Sequence, residues 1–157
     1  MGKIINIGII APKTYTVGGY DTESFERKSI RKYINAILKY YQEYEIIGIT
    51  GLANGVEQDF AECCIDNDIK YLVYLPFQKQ EKYWMNPIDT YKDLLDSSHG
   101  IEYISRGEYS PRKMIKKQKF IGQHSDVIIY IWNNLKSNCA LLSKLLATNK
   151  PIFIIKV

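Results

Sequence analysis

Six short apolar runs punctuate the chain, at residues 4–10, 46–50, 71–75, 101–104, 127–132 and 152–155. Most are continuous in Ile, Val, Leu and Tyr rather than alternating, which is the pattern of strands buried on both faces. Helical periods separate them. Ile30, Tyr33, Ile34, Ile37, Leu38 and Tyr41 form one apolar stripe, and Val56 and Phe60 with Cys63 or Cys64 form a second. A third joins Ile88, Tyr91, Leu94 and Leu95, and a weaker fourth follows Pro111 through Met114, Ile115 and Ile121. The last, on Leu141, Leu142, Leu145 and Leu146, is expected to end near Asn149 because Pro151 cannot continue it. Strand and helix in alternation imply a parallel sheet of about six strands covered on both faces, an α/β fold of three layers. Such sheets bind their ligands at the carboxyl ends of the strands, so function is expected in the loops that follow them.

With 157 residues the expectation is a single domain over 1–157, without repeat or linker. No apolar run approaches the ~20 residues a membrane span needs, and no secretion leader is expected. The three cysteines, Cys63, Cys64 and Cys139, lack paired spacing, and His99 and His124 lack metal-ligand spacing. A cytoplasmic protein without metal or cofactor is therefore expected. Six Lys/Arg fall between residues 106 and 119, against Glu108 alone. That cluster reads either as a solvated helix face or as a site for an anionic partner, nucleic acid or a phosphate-bearing small molecule.

The loop after the second run, Gly51-Leu52-Ala53-Asn54-Gly55-Val56-Glu57, carries the most information. Gly51 permits a sharp turn away from the strand, and Gly55 lets the backbone approach whatever lies over the start of the next helix. Backbone N–H groups there, with the helix dipole behind them, make an anion site. The pattern is neither Gly-x-Gly-x-x-Gly nor a Lys-Ser/Thr phosphate loop, and it also reads as a plain turn and helix cap. Glu57 either accepts hydrogen bonds from ribose hydroxyls or simply faces a helix N-terminus. The first loop, residues 11–21, is long enough to suggest function. In it Lys13 suits a phosphate, and Tyr15 and Tyr20 suit a base. In residues 74–84, Pro76 stops the strand and places Gln80 and Trp84 one helical turn apart; Trp84 reads as packing or as ligand contact.

These loops resemble the SLOG superfamily, which includes the DNA-processing protein A fold and the "lonely guy" cytokinin-activating phosphoribohydrolases. The 51–57 loop is similar to its Gly-x-x-x-Gly-Val/Ile-Asp/Glu motif. The YpsA-like branch is the nearest in pattern, through Gly18-Gly19-Tyr20-Asp21, through Pro76, Phe77, Gln80 and Trp84, and through Ser125-Asp126 before the fifth run. The resemblance implies a Rossmann-like domain. It implies a ligand contacted by Ala11, Pro12, Lys13, Gly18, Gly19 and Tyr20 of the first loop. Gly51, Leu52, Ala53, Asn54, Gly55 and Glu57 of the second loop join them, with Phe77, Trp84, Lys117, Asn138 and Cys139. The chain departs from the branch where Gly-His-Arg-Pro is replaced by Ala11-Pro12-Lys13-Thr14 and Arg-Asn by Lys117-Gln118. It departs again where Gly-Gly-Thr before the last helix is replaced by Asn138-Cys139-Ala140. In the phosphoribohydrolases a related loop leads into a helix with a catalytic glutamate, whereas the stretch 137–149 here holds no acid.

The resemblance therefore implies a non-catalytic binder of a nucleotide or nucleotide-derived ligand, of ADP-ribose or cyclic-nucleotide type. It would work as a sensor or by sequestration, including capture of a defence signal by a phage protein. Glu57 would meet ribose, and Lys13 and Lys117 phosphate. The alternatives are a nucleotide N-glycosidase or phosphoribohydrolase using Glu57, and a nucleic-acid-binding module using the basic cluster. A homo-oligomer is expected, with no membrane partner.

Overall fold

The computed structural model describes residues 2–12, 22–84, 88–133 and 139–156. Its strands are β1 (Ile4–Ile10), β2 (Glu45–Thr50), β3 (Lys70–Leu75), β4 (Ile101–Tyr103), β5 (Val127–Trp132) and β6 (Ile152–Lys156). Its helices are α1 (Phe25–Tyr40), α2 (Val56–Asp66), α3 (Asp89–Asp96), α4 (Pro111–His124) and α5 (Cys139–Leu146). Every strand pairing is parallel, in the order β4-β3-β2-β1-β5-β6. The expected Rossmann-like α/β architecture is the observed one.

Side-chain alternation sorts the two faces. Ile5, Ile7 and Ile9 of β1, with Val127, Ile129 and Ile131 of β5, pack under α1, α2 and α3. Ile10, Ile49, Tyr74, Ile128 and Tyr130 point the other way, toward Ile121 of α4 and Leu142 and Leu145 of α5. Both faces are thus apolar, which is why the strands read as unbroken runs. Two helices start with serine caps that the sequence supports. Ser24 accepts from the Arg27 N–H at the head of α1, and Ser110 accepts from the Lys113 N–H ahead of Pro111 in α4. The last helix ends at Leu146 rather than near Asn149. The Thr148 hydroxyl donates to the Leu145 carbonyl, and Asn149 turns into the left-handed region at φ 61°. These close the helix before Pro151 is reached.

Strands β1 to β4 step outward in one direction, and the chain then returns to the other side of β1 to lay down β5 and β6. The switch point lies between β1 and β5. The carboxyl ends of β2, β1 and β5 therefore lie side by side where open sheets take ligands.

Candidate functional site

At the end of β2 the backbone turns through residues 51–55 into α2. Gly55 sits at φ 109° and ψ −128°, a conformation open essentially to glycine alone. Leu52 is also left-handed, at φ 54°, and is held there by full burial in the core. Side chains staple the turn from below. The Thr50 hydroxyl donates to the Glu57 carbonyl (2.8 Å) and accepts from the Leu52 N–H (3.2 Å). The Gln58 amide donates to the Leu52 carbonyl at 3.3 Å. Gln80, in a short 3-10 turn (Gln80–Tyr83) after β3, donates to the Gly51 carbonyl at 2.8 Å and to the Tyr91 hydroxyl at 3.3 Å. A loop held by the buried side chains of Thr50, Gln58 and Gln80 has little freedom left to lose when a ligand arrives.

Gly55 caps α2 without a side chain, so the amide end of the helix is left to other partners. Two acids, Glu57 and Asp59, lie in the first turn and by themselves would repel an anion. Each is neutralised inside the protein. The Lys117 ammonium of α4 meets Glu57 Oε1 at 2.9 Å and Oε2 at 3.2 Å, and the Gly51 N–H donates to the same Oε1 at 3.1 Å. Lys117 is 1% exposed and Glu57 5%. Asp59 is fully buried and accepts from Arg27 Nε (2.5 Å) and Nη2 (2.8 Å) and from Arg31 Nε (3.0 Å) and Nη2 (2.7 Å). Arg31 also reaches Glu62 at 3.1 Å. Partial burial opposes the Arg31 charge, but Asp59 and Glu62 outweigh it and hold its pKa above the ordinary value.

The Glu57–Lys117 pair joins the two helical layers across the end of the sheet, and Gly51 is the opening through which it passes. A Cβ at Gly51 would lie 2.5 Å from Glu57 Oε1, 2.6 Å from Lys117 Cδ and 2.7 Å from Lys117 Nζ. Glycine is needed here for space rather than for backbone freedom. The sequence pattern assigns Glu57 to ribose and Lys117 to a phosphate; in this structure the two side chains meet each other in the interior.

The remaining expected residues divide. Gly51, Leu52, Ala53, Asn54 and Gly55 form the turn itself, with Ala53 and Asn54 half-buried. Ala11 and Pro12 follow β1 at the same end of the sheet, and the Ala11 carbonyl accepts from Gln118 at 3.4 Å. Phe77 is buried, its ring 6.1 Å from Tyr109 and 5.9 Å from the Lys113 ammonium. Trp84 packs edge-on to Tyr91 at 4.9 Å and against the core. Both aromatics pack against neighbours here, Phe77 buried and Trp84 partly buried. Lys13, Gly18, Gly19, Tyr20 and Asn138 lie outside the described residues, as does the side chain of Cys139. Cys63 and Cys64 belong to the core, and burial pushes the Cys63 thiol up to about 12. Among the described residues no group of three or more His, Cys, Asp or Glu is placed to hold a metal ion. No helix there is long and apolar enough to cross a membrane.

Comparison with known proteins agrees with this architecture. The chain is similar to a UPF0398 protein of Lysinibacillus sphaericus, 33% identical over 67 residues, covering 41% of this chain and 37% of that one. The solved DNA processing protein A of Helicobacter pylori, described for its single-stranded DNA binding mode, superposes with a TM-score of 0.62 at 17% identity. That match covers 96% of this chain and 64% of the other. DNA processing protein A of Streptococcus pneumoniae gives 0.66 at 11% identity, over 96% and 50%. The chain thus spans between about a third and two thirds of the length of these relatives, and the two structures share its fold. The YpsA family model, described as the YspA SLOG family, matches residues 9–149. With strands β2 to β5 and all five helices inside that match, the chain belongs to the YpsA family of SLOG proteins.

Proposed function

We propose that the 51–55 turn and the amide end of α2 bind the phosphate of a nucleotide-type ligand and hold it without turnover. One observation carries this reading. The two acids in the first turn of α2 are both neutralised within the protein, Glu57 by the buried Lys117 and Asp59 by the buried Arg27 with the partly exposed Arg31, so the helix end keeps its attraction for an anion. Placement at the switch point of the sheet supports it, as does membership of the SLOG family. The Helicobacter relative, described as binding single-stranded DNA, takes a phosphate-bearing ligand on a similar fold.

Absence of turnover rests on Glu57. Cleaving a glycosidic bond needs a carboxylate able to attack the sugar or carry a proton, a contribution of about 10²–10⁴ in rate for general acid–base help alone. Both Glu57 oxygens are engaged by Lys117, and one also accepts from the Gly51 amide. A binder of this kind acts as a sensor or by sequestering its ligand in the cytoplasm, with a second copy of the chain as its natural partner.

The test is Gly55→Asp. It puts a side chain at φ 109° and a negative charge on the helix end. Affinity for ADP-ribose, AMP or a cyclic nucleotide, measured by calorimetry, is expected to fall at least about tenfold, with the far-UV circular dichroism retained. Unchanged affinity in the folded variant would show that the ligand sits elsewhere.

A further inference from the structure

Charge is divided between the two ends of this chain more sharply than the 106–119 cluster suggests. Residues 112–157 hold nine Lys/Arg and a single acid, Asp126, whereas residues 1–111 hold 12 Lys/Arg and 16 acids. The fold turns this division into a surface. The C-terminal segment builds α4 and α5, which cover one face of the sheet, while α2 and α3 on the opposite face carry acids. Asp126 lies at the amino end of β5, where its carboxylate accepts from the Asn6 N–H.

Two members of the cluster are already engaged within the protein. Lys117 is buried against Glu57, and the Lys113 ammonium donates to the Glu108 carbonyl beside the Phe77 ring. Arg112, Lys116 and Lys119 are exposed and recur at helical spacing, so they form one ridge along α4 rising by roughly 10 Å. That ridge runs into a groove of about 350 Å³ between α4 and α5. Lys119, Lys144 and Lys150 line it around Leu141 and Leu145. Lys150 is anchored there, donating to the Gly122 and Gln123 carbonyls at 3.0 and 3.1 Å, so one positive charge is fixed in the groove wall. Arg112, Lys116, Lys119 and Lys144 form no ion pair among the described residues.

We propose that the α4–α5 face binds the phosphodiester backbone of a single nucleic-acid strand, at a site separate from the 51–55 turn. A line of evenly spaced point charges with no interspersed acid matches a ligand that repeats one negative charge at short, regular intervals. Lysine ammonium groups attract phosphates without reading base edges, so the site takes strands irrespective of sequence. Such binding releases counterions, and for single strands log K falls with log salt by about 0.7 for each phosphate neutralised.

The experiment is fluorescence anisotropy of a labelled 20-residue oligothymidylate, titrated at several salt concentrations. The wild type is compared with a Lys116→Gln/Lys119→Gln/Lys144→Gln variant and with Gly55→Asp. The triple variant is expected to lose about 2 from the salt slope and at least about tenfold in affinity near 50 mM salt, while Gly55→Asp binds as the wild type does. Matching Lys→Arg replacements should restore the slope. Three results would overturn the proposal. Binding could be unchanged in the folded triple variant, or abolished by Gly55→Asp, which would put the strand in the turn. Poly-glutamate of equal charge could compete as well as unlabelled oligonucleotide, which would make the face a dock for acidic protein. The first and third results say nothing of the 51–55 turn; only the second does, so failure of this proposal and failure of the phosphate site in the turn are read separately.

Discussion

Lys117→Met is expected to lower the unfolding free energy by about 3–5 kcal/mol, among the largest single-site effects in the chain. The substitution keeps an unbranched apolar stem of four heavy atoms and removes the ammonium. Glu57 is then left buried with only the Gly51 N–H to meet its charge. Breaking a buried pair from one side costs this much because the remaining charge has lost both water and partner. Denaturant unfolding of the single and double variants separates that cost from the worth of the pair. Adding Glu57→Gln to Lys117→Met should return more than half of the loss, since no buried charge remains. A double variant no more stable than Lys117→Met alone would mean that the methionine packs badly and that the pair is incidental. Nucleotide affinity supplies an independent readout. With Lys117 gone, nothing offsets negative charge at Glu57, so phosphate binding at the head of α2 should weaken, and the added Glu57→Gln should restore it.

Asp59→Asn should cost a similar amount, about 3–5 kcal/mol, by the same physics. Asp59 is the point at which α1 and α2 are joined, accepting four hydrogen bonds from Arg27 and Arg31. Arg27 is 3% exposed, so its charge would stay inside without the carboxylate that matches its planar fork. Arg31→Ala is the milder control. That side chain is partly exposed, and Arg27 keeps its two bonds to Asp59, so a loss of no more than about 1 kcal/mol is expected. Thermal and denaturant unfolding of the three proteins checks the ranking. If Arg31→Ala proved as damaging as Asp59→Asn, the buried Arg27–Asp59 contact would not be the centre of the network.

The sheet was legible because its chemistry is local. A strand buried on both faces has to be a short, mostly apolar run, and β1, β2, β3 and β5 appear as such; the runs for all six strands fall within a residue of the observed bounds, although the edge strand β4 is exposed throughout and carries Glu102 within its run. The turn at 51–55 was legible for the same reason, since two glycines four residues apart between a strand and a helix have few other uses. What supports that turn was not legible, because each support comes from a distant part of the chain. Lys117 is 60 residues from Glu57 and lies among five other basic residues, and nothing in that spacing shows that one of them turns inward. Gln80 stood in the motif that also held Phe77 and Trp84. In the structure the aromatics pack while the amide reaches the Gly51 carbonyl. The Arg27–Asp59 contact was missed because Arg27 reads as part of the polar side of α1. Helical spacing alone cannot distinguish a charge facing water from one facing the next helix.

The most direct measurement is recovery of a bound ligand. The protein is incubated with ADP-ribose, AMP and a cyclic nucleotide, washed and denatured by heat, and the released compounds are identified by mass spectrometry. The account predicts one nucleotide-type compound recovered intact and in near-stoichiometric amount from the wild type, and lost from Gly55→Asp. Recovery of free base with sugar phosphate would contradict the assignment of Glu57 to a locked, supporting role. Recovery of nothing would contradict the phosphate site at the head of α2.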